Sequence, residues 1–134
     1  MSDSPRTVLC VDDDLDDREL VCDAIGQIDP SLQVIHASDG YQAMEYLYMA
    51  KEQAVLPCLV ILDINMPKFD GKQTLAAIKN DEQLRKVPVV MFSTSNNLMD
   101  KMYCDRYGVE LVTKPSTLHN LHYEVKRLLQ HCAV

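Results

Sequence analysis

The sequence predicts an α/β fold: a doubly wound, five-stranded parallel sheet in the order 2-1-3-4-5, with five helices. Three observations predict it. Short apolar runs alternate with helix-length amphipathic segments five times along 134 residues. The runs are continuously apolar, as strands buried on both faces must be. Four of the five end in polar or charged residues, which places those side chains along one edge of the sheet. Five β–α units in succession imply parallel strands joined by right-handed crossovers, and 2-1-3-4-5 is the simplest arrangement.

The first strand is the run 7–11 (TVLCV), ended by carboxylates. Residues 15–28 then repeat apolar side chains at Leu20, Val21, Ala24, Ile25 and Ile28, the spacing of one helix face. Asp14, Asp16 and Asp17 sit at its head, where each favours the helix dipole by about 0.3–1 kcal/mol. Pro30 follows where a helix should stop. Residues 32–37 form a second, partly alternating strand. Asp39-Gly40 turns the chain into a helix over about 41–52, with Ala43, Met44, Leu47 and Tyr48 on one side.

The third strand, 59–62 (LVIL), ends at Asp63, and a loop with Pro67 and Gly71 leads to a helix over about 72–81. The fourth strand, 87–92, ends at Ser93-Thr94-Ser95. A helix over 97–107 follows, stopped by Gly108 in the usual capping position. Residues 109–113 are the fifth strand. After Lys114-Pro115, Ser116 is placed to cap a last helix with Leu118, Leu121, Val125 and Leu128 on its core stripe.

Composition narrows the function classes. Hydrophobic residues make up 47% and charged residues 25%, the balance of a soluble globular protein. The chain reads as one domain over 1–134, with a core of about 6–131 and no output domain after it. A net charge of −7, with no Lys/Arg cluster longer than a pair, argues against nucleic acid as a partner. No apolar run approaches the ~18 residues that span a bilayer, and no signal peptide is evident, so no membrane partner and a cytoplasmic location are expected. The five cysteines, Cys10, Cys22, Cys58, Cys104 and Cys132, are odd in number and widely spaced. They read as reduced thiols used as small hydrophobes. His119 and His122 share a face of the last helix, a solvated one.

In such a sheet, ligands bind beyond the carboxyl ends of the strands, at the point where strand order reverses. That point lies between strand 1, ending at Asp12-Asp13-Asp14, and strand 3, ending at Asp63. Ser93 and Lys114 end the two strands alongside. Carboxylates held ~5 Å apart repel by roughly 3 kcal/mol per pair at an effective dielectric of about 20. They stay ionised together only around a cation, and all-oxygen ligands with open positions favour Mg2+. Asp63 is then the candidate nucleophile for a phosphoryl group, since carboxylates form acyl phosphates. Lys114 would neutralise charge on the phosphoryl oxygens, and the Ser93 hydroxyl would donate to one of them.

These residues resemble the receiver domain of two-component response regulators, the CheY-like family with a flavodoxin-like fold. The resemblance covers about residues 6–131 and rests on V-D-D-D at 11–14, L-D-I-N-M-P at 62–67, Gly71, P-V-V-M-F-S at 88–93 and T-K-P at 113–115. It implies that Asp12 and Asp13 hold Mg2+, that Asp63 is the phosphoacceptor, and that the backbone carbonyl of Asn65 completes the metal shell. Ser93 corresponds to the hydroxyl that moves toward the phosphoryl group, and Lys114 to the lysine, in a Lys-Pro peptide that is often cis. Asn65 and Ser95 hold the positions that tune phosphoryl lifetime. Leu111 stands where the family frequently carries a switching aromatic, a departure that weakens an aromatic-rotation mechanism.

The function implied is a phosphoacceptor switch, not a turnover enzyme. A sensor histidine kinase or histidine phosphotransfer protein donates to Asp63, and the face formed by helix 4, strand 5 and helix 5 signals to a downstream protein or phosphorelay. Met99, Met102, Tyr103 and Tyr107 lie on that helix 4. The alternative is a pseudo-receiver that binds partners without phosphorylation, although no pocket residue is missing. A flavin-binding protein of this architecture would need a hydroxyl-rich loop after strand 1, where three carboxylates stand. A phosphatase of the haloacid dehalogenase type would need a second acid at position 65, which is Asn65.

Overall fold

A computed structural model of the chain describes residues 6–94 and 97–133; the expectation for Ser95 lies outside them. Five strands, β1 (Thr7–Val11), β2 (Gln33–Ala37), β3 (Leu59–Asp63), β4 (Val89–Ser93) and β5 (Glu110–Thr113), form one sheet. Five helices follow them in turn: α1 (Leu15–Ile28), α2 (Gly40–Glu52), α3 (Gly71–Lys79), α4 (Leu98–Tyr107) and α5 (Leu118–Leu128). The strand order is β2-β1-β3-β4-β5 and every pairing is parallel, as the sequence predicts.

The continuous apolar runs form strands because both of their faces find cover. β3 and β4 are buried at every position, while the edge strands β2 and β5 each expose two residues, Gln33 and His36 in one and Glu110 and Thr113 in the other. One face packs Leu9, Val60, Leu62 and Met91 against Leu47 of α2 and Leu75 and Ile78 of α3. The other packs Cys10, Ile61 and Phe92 against Ile25 of α1 and Val125 and Leu128 of α5. Burying each of Leu9, Leu59 and Leu62 completely stabilises the fold by roughly 1.5–3 kcal/mol.

The helices start where side-chain acceptors satisfy their free amides. Asp14, Asp39, Asp70 and Asn97 each accept from the backbone three residues on. Gly108 closes α4 in the left-handed conformation, φ 68°. The cap of α5 is Thr117, not Ser116. Thr117 has the extended backbone a cap requires, and its side chain accepts from Asn120 N.

Two further expectations are corrected. Cys58 and Cys132 form a disulfide across 74 residues, with Cα atoms 5.2 Å apart. The terminal 3-10 turn, Leu129–Cys132, tucks beneath the amino end of β3 and brings the sulfurs together. Disulfides are uncommon in reducing compartments, so cysteine usage no longer supports a cytoplasmic location. Cys10, Cys22 and Cys104 are free thiols. The Lys114–Pro115 peptide is trans, the isomer X–Pro bonds favour by about 0.5–1 kcal/mol. Among the described residues, no helix is long and apolar enough to cross a membrane.

Candidate functional site

The register of the sheet brings the strand ends together. Val11 pairs with Leu62, Asp63 with Phe92, and Ser93 with Thr113, so Asp12, Asp63, Ser93 and Lys114 line one edge. Asp12 and Asp63 are buried, Ser93 is fully buried, and Asp13 is exposed. One carboxylate oxygen from each of Asp12, Asp13 and Asp63 lies within 4.8 Å of the other two.

The loop between β1 and α1 fixes the acidic group. Asp12 Oδ1 accepts from Asp14 N at 3.0 Å, and the Asp12 carbonyl accepts from Arg18 Nη1 at 2.5 Å. Asp63 Oδ1 accepts from Asn65 N at 3.3 Å. After β3 the chain must fold back sharply, and Gly71 permits it. A Cβ at that position would lie 2.1 Å from the Asp63 carbonyl oxygen.

Lys114 enters from the end of β5, its backbone N–H donating to the Ser93 carbonyl at 2.8 Å. Its Nζ lies 2.7 Å from Asp12 Oδ2, 2.9 Å from Asp17 Oδ2 and 3.7 Å from Asp63 Oδ2. Beneath these groups is a cavity of about 50 Å³ that reaches apolar Cys10, Leu20 and Phe92. The surroundings therefore combine low polarity with crowded negative charge. Burial, and then the Asp12 charge, push the Asp63 carboxyl up to about 7, against the pull of Lys114. Burial works to lower the Lys114 pKa, but the hydrogen bonds to Asp12 and Asp17 outweigh it and the ammonium is held firmly charged. Burial first, and then the Asp12 charge, push the Cys10 thiol up to about 12. That keeps it an inert member of the core.

All donors in the acidic group are carboxylate oxygens, which suits a hard divalent cation. The structure thus brings together Asp12, Asp13, Asp63 and Lys114 as the sequence predicts, with Ser93 and Asn65 beside them. Sequence reasoning missed the contact of Asp17 with Lys114, because its place in the first turn of α1 explained it without a partner. Leu111 is half-buried against the core on the α4 side of the sheet.

An acidic group, a lysine and a hydroxyl at the switch point of a 2-1-3-4-5 sheet define a receiver of the phosphoacceptor class. The chain belongs to the response regulator receiver domain family, whose model matches residues 8–126. It is 36% identical to response regulator Rcp1 of Synechocystis sp. over 98 residues, 72% of this chain and 67% of that one. The Mn2+-bound form of Rcp1 superposes with a TM-score of 0.81 at 33% identity, covering 94% of this chain and 93% of that one. The phosphorylated cyanobacterial phytochrome response regulator RcpA gives 0.85 at 33% identity, covering 95% and 93%. The bacteriophytochrome response regulator AtBRR gives 0.79 at 29%, covering 98% and 96%.

Proposed function

We propose that the chain accepts a phosphoryl group on Asp63 from a phosphohistidine donor, with Mg2+ bound beside it. The observation that carries the reading is the Lys114 ammonium, 2.7 Å from Asp12 and 3.7 Å from Asp63 at the switch point. Asp12, Asp13, Asp63 and the backbone carbonyl of Asn65 hold the metal, which supplies positive charge against the phosphoryl oxygens. An Asp63 carboxylate oxygen attacks phosphorus as the bond from phosphorus to the imidazole nitrogen breaks. That nitrogen leaves with the electron pair and is neutralised by a proton from water. Lys114 pairs with one phosphoryl oxygen and Ser93 donates its hydroxyl to another.

The signal passes to the α4–β5–α5 face. In support, α4 leaves Leu98, Met99 and Met102 exposed at 70%, 77% and 58%, an apolar surface ready for a protein partner. The donor is a sensor histidine kinase or a histidine phosphotransfer protein. A phytochrome-type kinase is the first to try, since RcpA and AtBRR are phytochrome response regulators.

The test is intact-mass spectrometry after incubation with acetyl phosphate, with Mg2+ or with EDTA, on wild type and Asp63→Asn. The expected result is a Mg2+-dependent gain of one phosphoryl group that the variant lacks. No gain from acetyl phosphate or from a phosphorylated phytochrome kinase would leave a pseudo-receiver, an interaction module independent of phosphorylation.

A further inference from the structure

Asp17 lies outside the acidic group that suits a metal, yet it binds the one lysine of the site. Its Oδ2 is 2.9 Å from Lys114 Nζ, almost as close as Asp12 Oδ2 at 2.7 Å. An ammonium has three N–H donors. Asp12 and Asp17 take two. The 3.7 Å to Asp63 is too long for a hydrogen bond, so the third donor is left for an oxygen that arrives beside Asp63.

Asp12 is a poor permanent holder of that lysine. Its Oδ1 is engaged by Asp14 N and its Oδ2 by Lys114, and it also belongs to the group suited to a divalent cation. A cation that takes a lone pair of Asp12 competes with Lys114 for it. Asp17 is outside that group, with a carboxylate 38% exposed, and meets no such competition. It is nevertheless well fixed. Its backbone N–H donates to the Asp14 side chain at 3.1 Å, and its neighbour Arg18 is bonded to the Asp12 carbonyl. The head of α1 is thus stitched to the end of β1, with the Asp17 carboxylate turned toward β5.

We propose that Asp17 is a positioning residue for phosphoryl transfer: it holds the Lys114 ammonium at Asp63 while Asp12 serves the metal. The inference rests on the reading of Asp63 as the acceptor. The transfer itself forms the bond from an Asp63 oxygen to phosphorus and releases the donor's leaving group with its electron pair. Asp17 takes no part in that exchange and acts only through Lys114.

The test compares wild type with Asp17→Ala, Asp17→Asn and Asp17→Glu, using acetyl phosphate as donor and Mg2+ as the metal. At saturating acetyl phosphate and Mg2+, Asp17→Ala is expected to label roughly tenfold to a hundredfold more slowly, the scale of a misplaced catalytic group. Its half-saturating Mg2+ concentration should move by less than about threefold, because the half-buried Asp17 carboxylate is paired with Lys114 and lies outside the metal group. Asp17→Asn should fall between, and Asp17→Glu should regain most of the rate. A readout that needs no phosphoryl group is NMR of the Lys114 ε-methylene in the Mg2+-loaded protein. Its two protons should be inequivalent in wild type and collapse to one shift in Asp17→Ala. Wild-type labelling rates in Asp17→Ala, or no recovery in a folded Asp17→Glu, would overturn the proposal. If wild type takes no phosphoryl group at all, the acceptor reading fails, and unchanged ε-protons in Asp17→Ala would then overturn the role of Asp17 separately.

Discussion

Burial and the neighbouring Asp12 push the Asp63 carboxyl up to about 7 from 3.8, which makes its ionised form costly to the folded chain. Below about pH 4 the group is protonated in both native and unfolded states, and the cost is absent. Between pH 4 and 7 the native state keeps a proton that the unfolded chain gives up, so stability falls as pH rises, and above 7 the loss is complete. At 1.36 kcal/mol per unit the shift amounts to at most roughly 4 kcal/mol, and relaxation of the site around the charge brings it to about 2. Asp63→Asn has no such loss. In EDTA it should therefore be about 2 kcal/mol more stable than wild type by urea denaturation at pH 8, and equal to it near pH 4. A difference independent of pH would show that Asp63 is not strained by its surroundings. The candidate site residues legible in sequence were those that end an apolar strand, because a carboxylate there has no structural excuse. Asp17 was not legible, since a first-turn aspartate already has one, and its partner lies 97 residues away.

The element that follows Asp63 is α3, whose first residue stands against the end of β3. Asp70 caps it with a reciprocal capping box to Gln73, and Gly71 N donates to the Ile64 carbonyl at 3.0 Å. That turn leaves no room for a Cβ: one at Gly71 would stand 2.1 Å from Asp63 O and 2.6 Å from Ile64 Cα, both backbone atoms that cannot swing aside. Gly71→Ala must therefore shift α3 or the end of β3. Overpacking of this kind costs about 1–3 kcal/mol or more. The variant should show a lowered denaturation midpoint together with slow labelling of Asp63 by acetyl phosphate. Normal labelling at normal stability would mean that the turn relaxes freely. By contrast, α4 buries only Asp100 and Cys104, with Tyr103 and Tyr107 packed part-buried on the core and a polar clasp beside them. Lys72 Nζ meets Asp100 Oδ1 at 2.6 Å, and Tyr103 Oη donates to the Lys72 carbonyl at 2.7 Å. The apolar stripe of α5 was legible at Leu121, Val125 and Leu128, which are buried, but not at Leu118, which stands in the first turn and is 68% exposed. The start of α5 was misplaced by one residue because Ser116 and Thr117 carry the same capping hydroxyl, and only the backbone distinguishes them.

For the molecule as a whole, strand order and the position of the site followed from the sequence because a buried parallel sheet has few ways to close. The disulfide did not follow, because nothing local links Cys58 to Cys132 until the C-terminal turn packs under the sheet. Its consequence is a division of labour along β3. Cys58 stands at the amino end of the strand and Asp63 at the carboxyl end, five residues or about 16 Å apart. The bridge closes a loop of 74 residues, and loop-closure entropy for that length predicts a stabilisation of about 4 kcal/mol, of which real bridges commonly deliver 2–4. The terminal turn also contributes buried Leu129 and Cys132 to the core shared with α1 and α5. Arg6 bonds the Cys132 carbonyl and Asp29, which ties the same corner further. Dithiothreitol should therefore lower the unfolding free energy by about 2–4 kcal/mol, and Cys58→Ser should match the reduced protein. Labelling of Asp63 by acetyl phosphate should be unchanged in both, measured well below the denaturation midpoint, because neither touches the groups around Lys114. An unmoved midpoint on reduction would mean that the bridge carries no stability. A loss of labelling in the folded, reduced protein would mean that the two ends of the sheet are coupled, and that the C-terminal turn reports to the groups around Asp63.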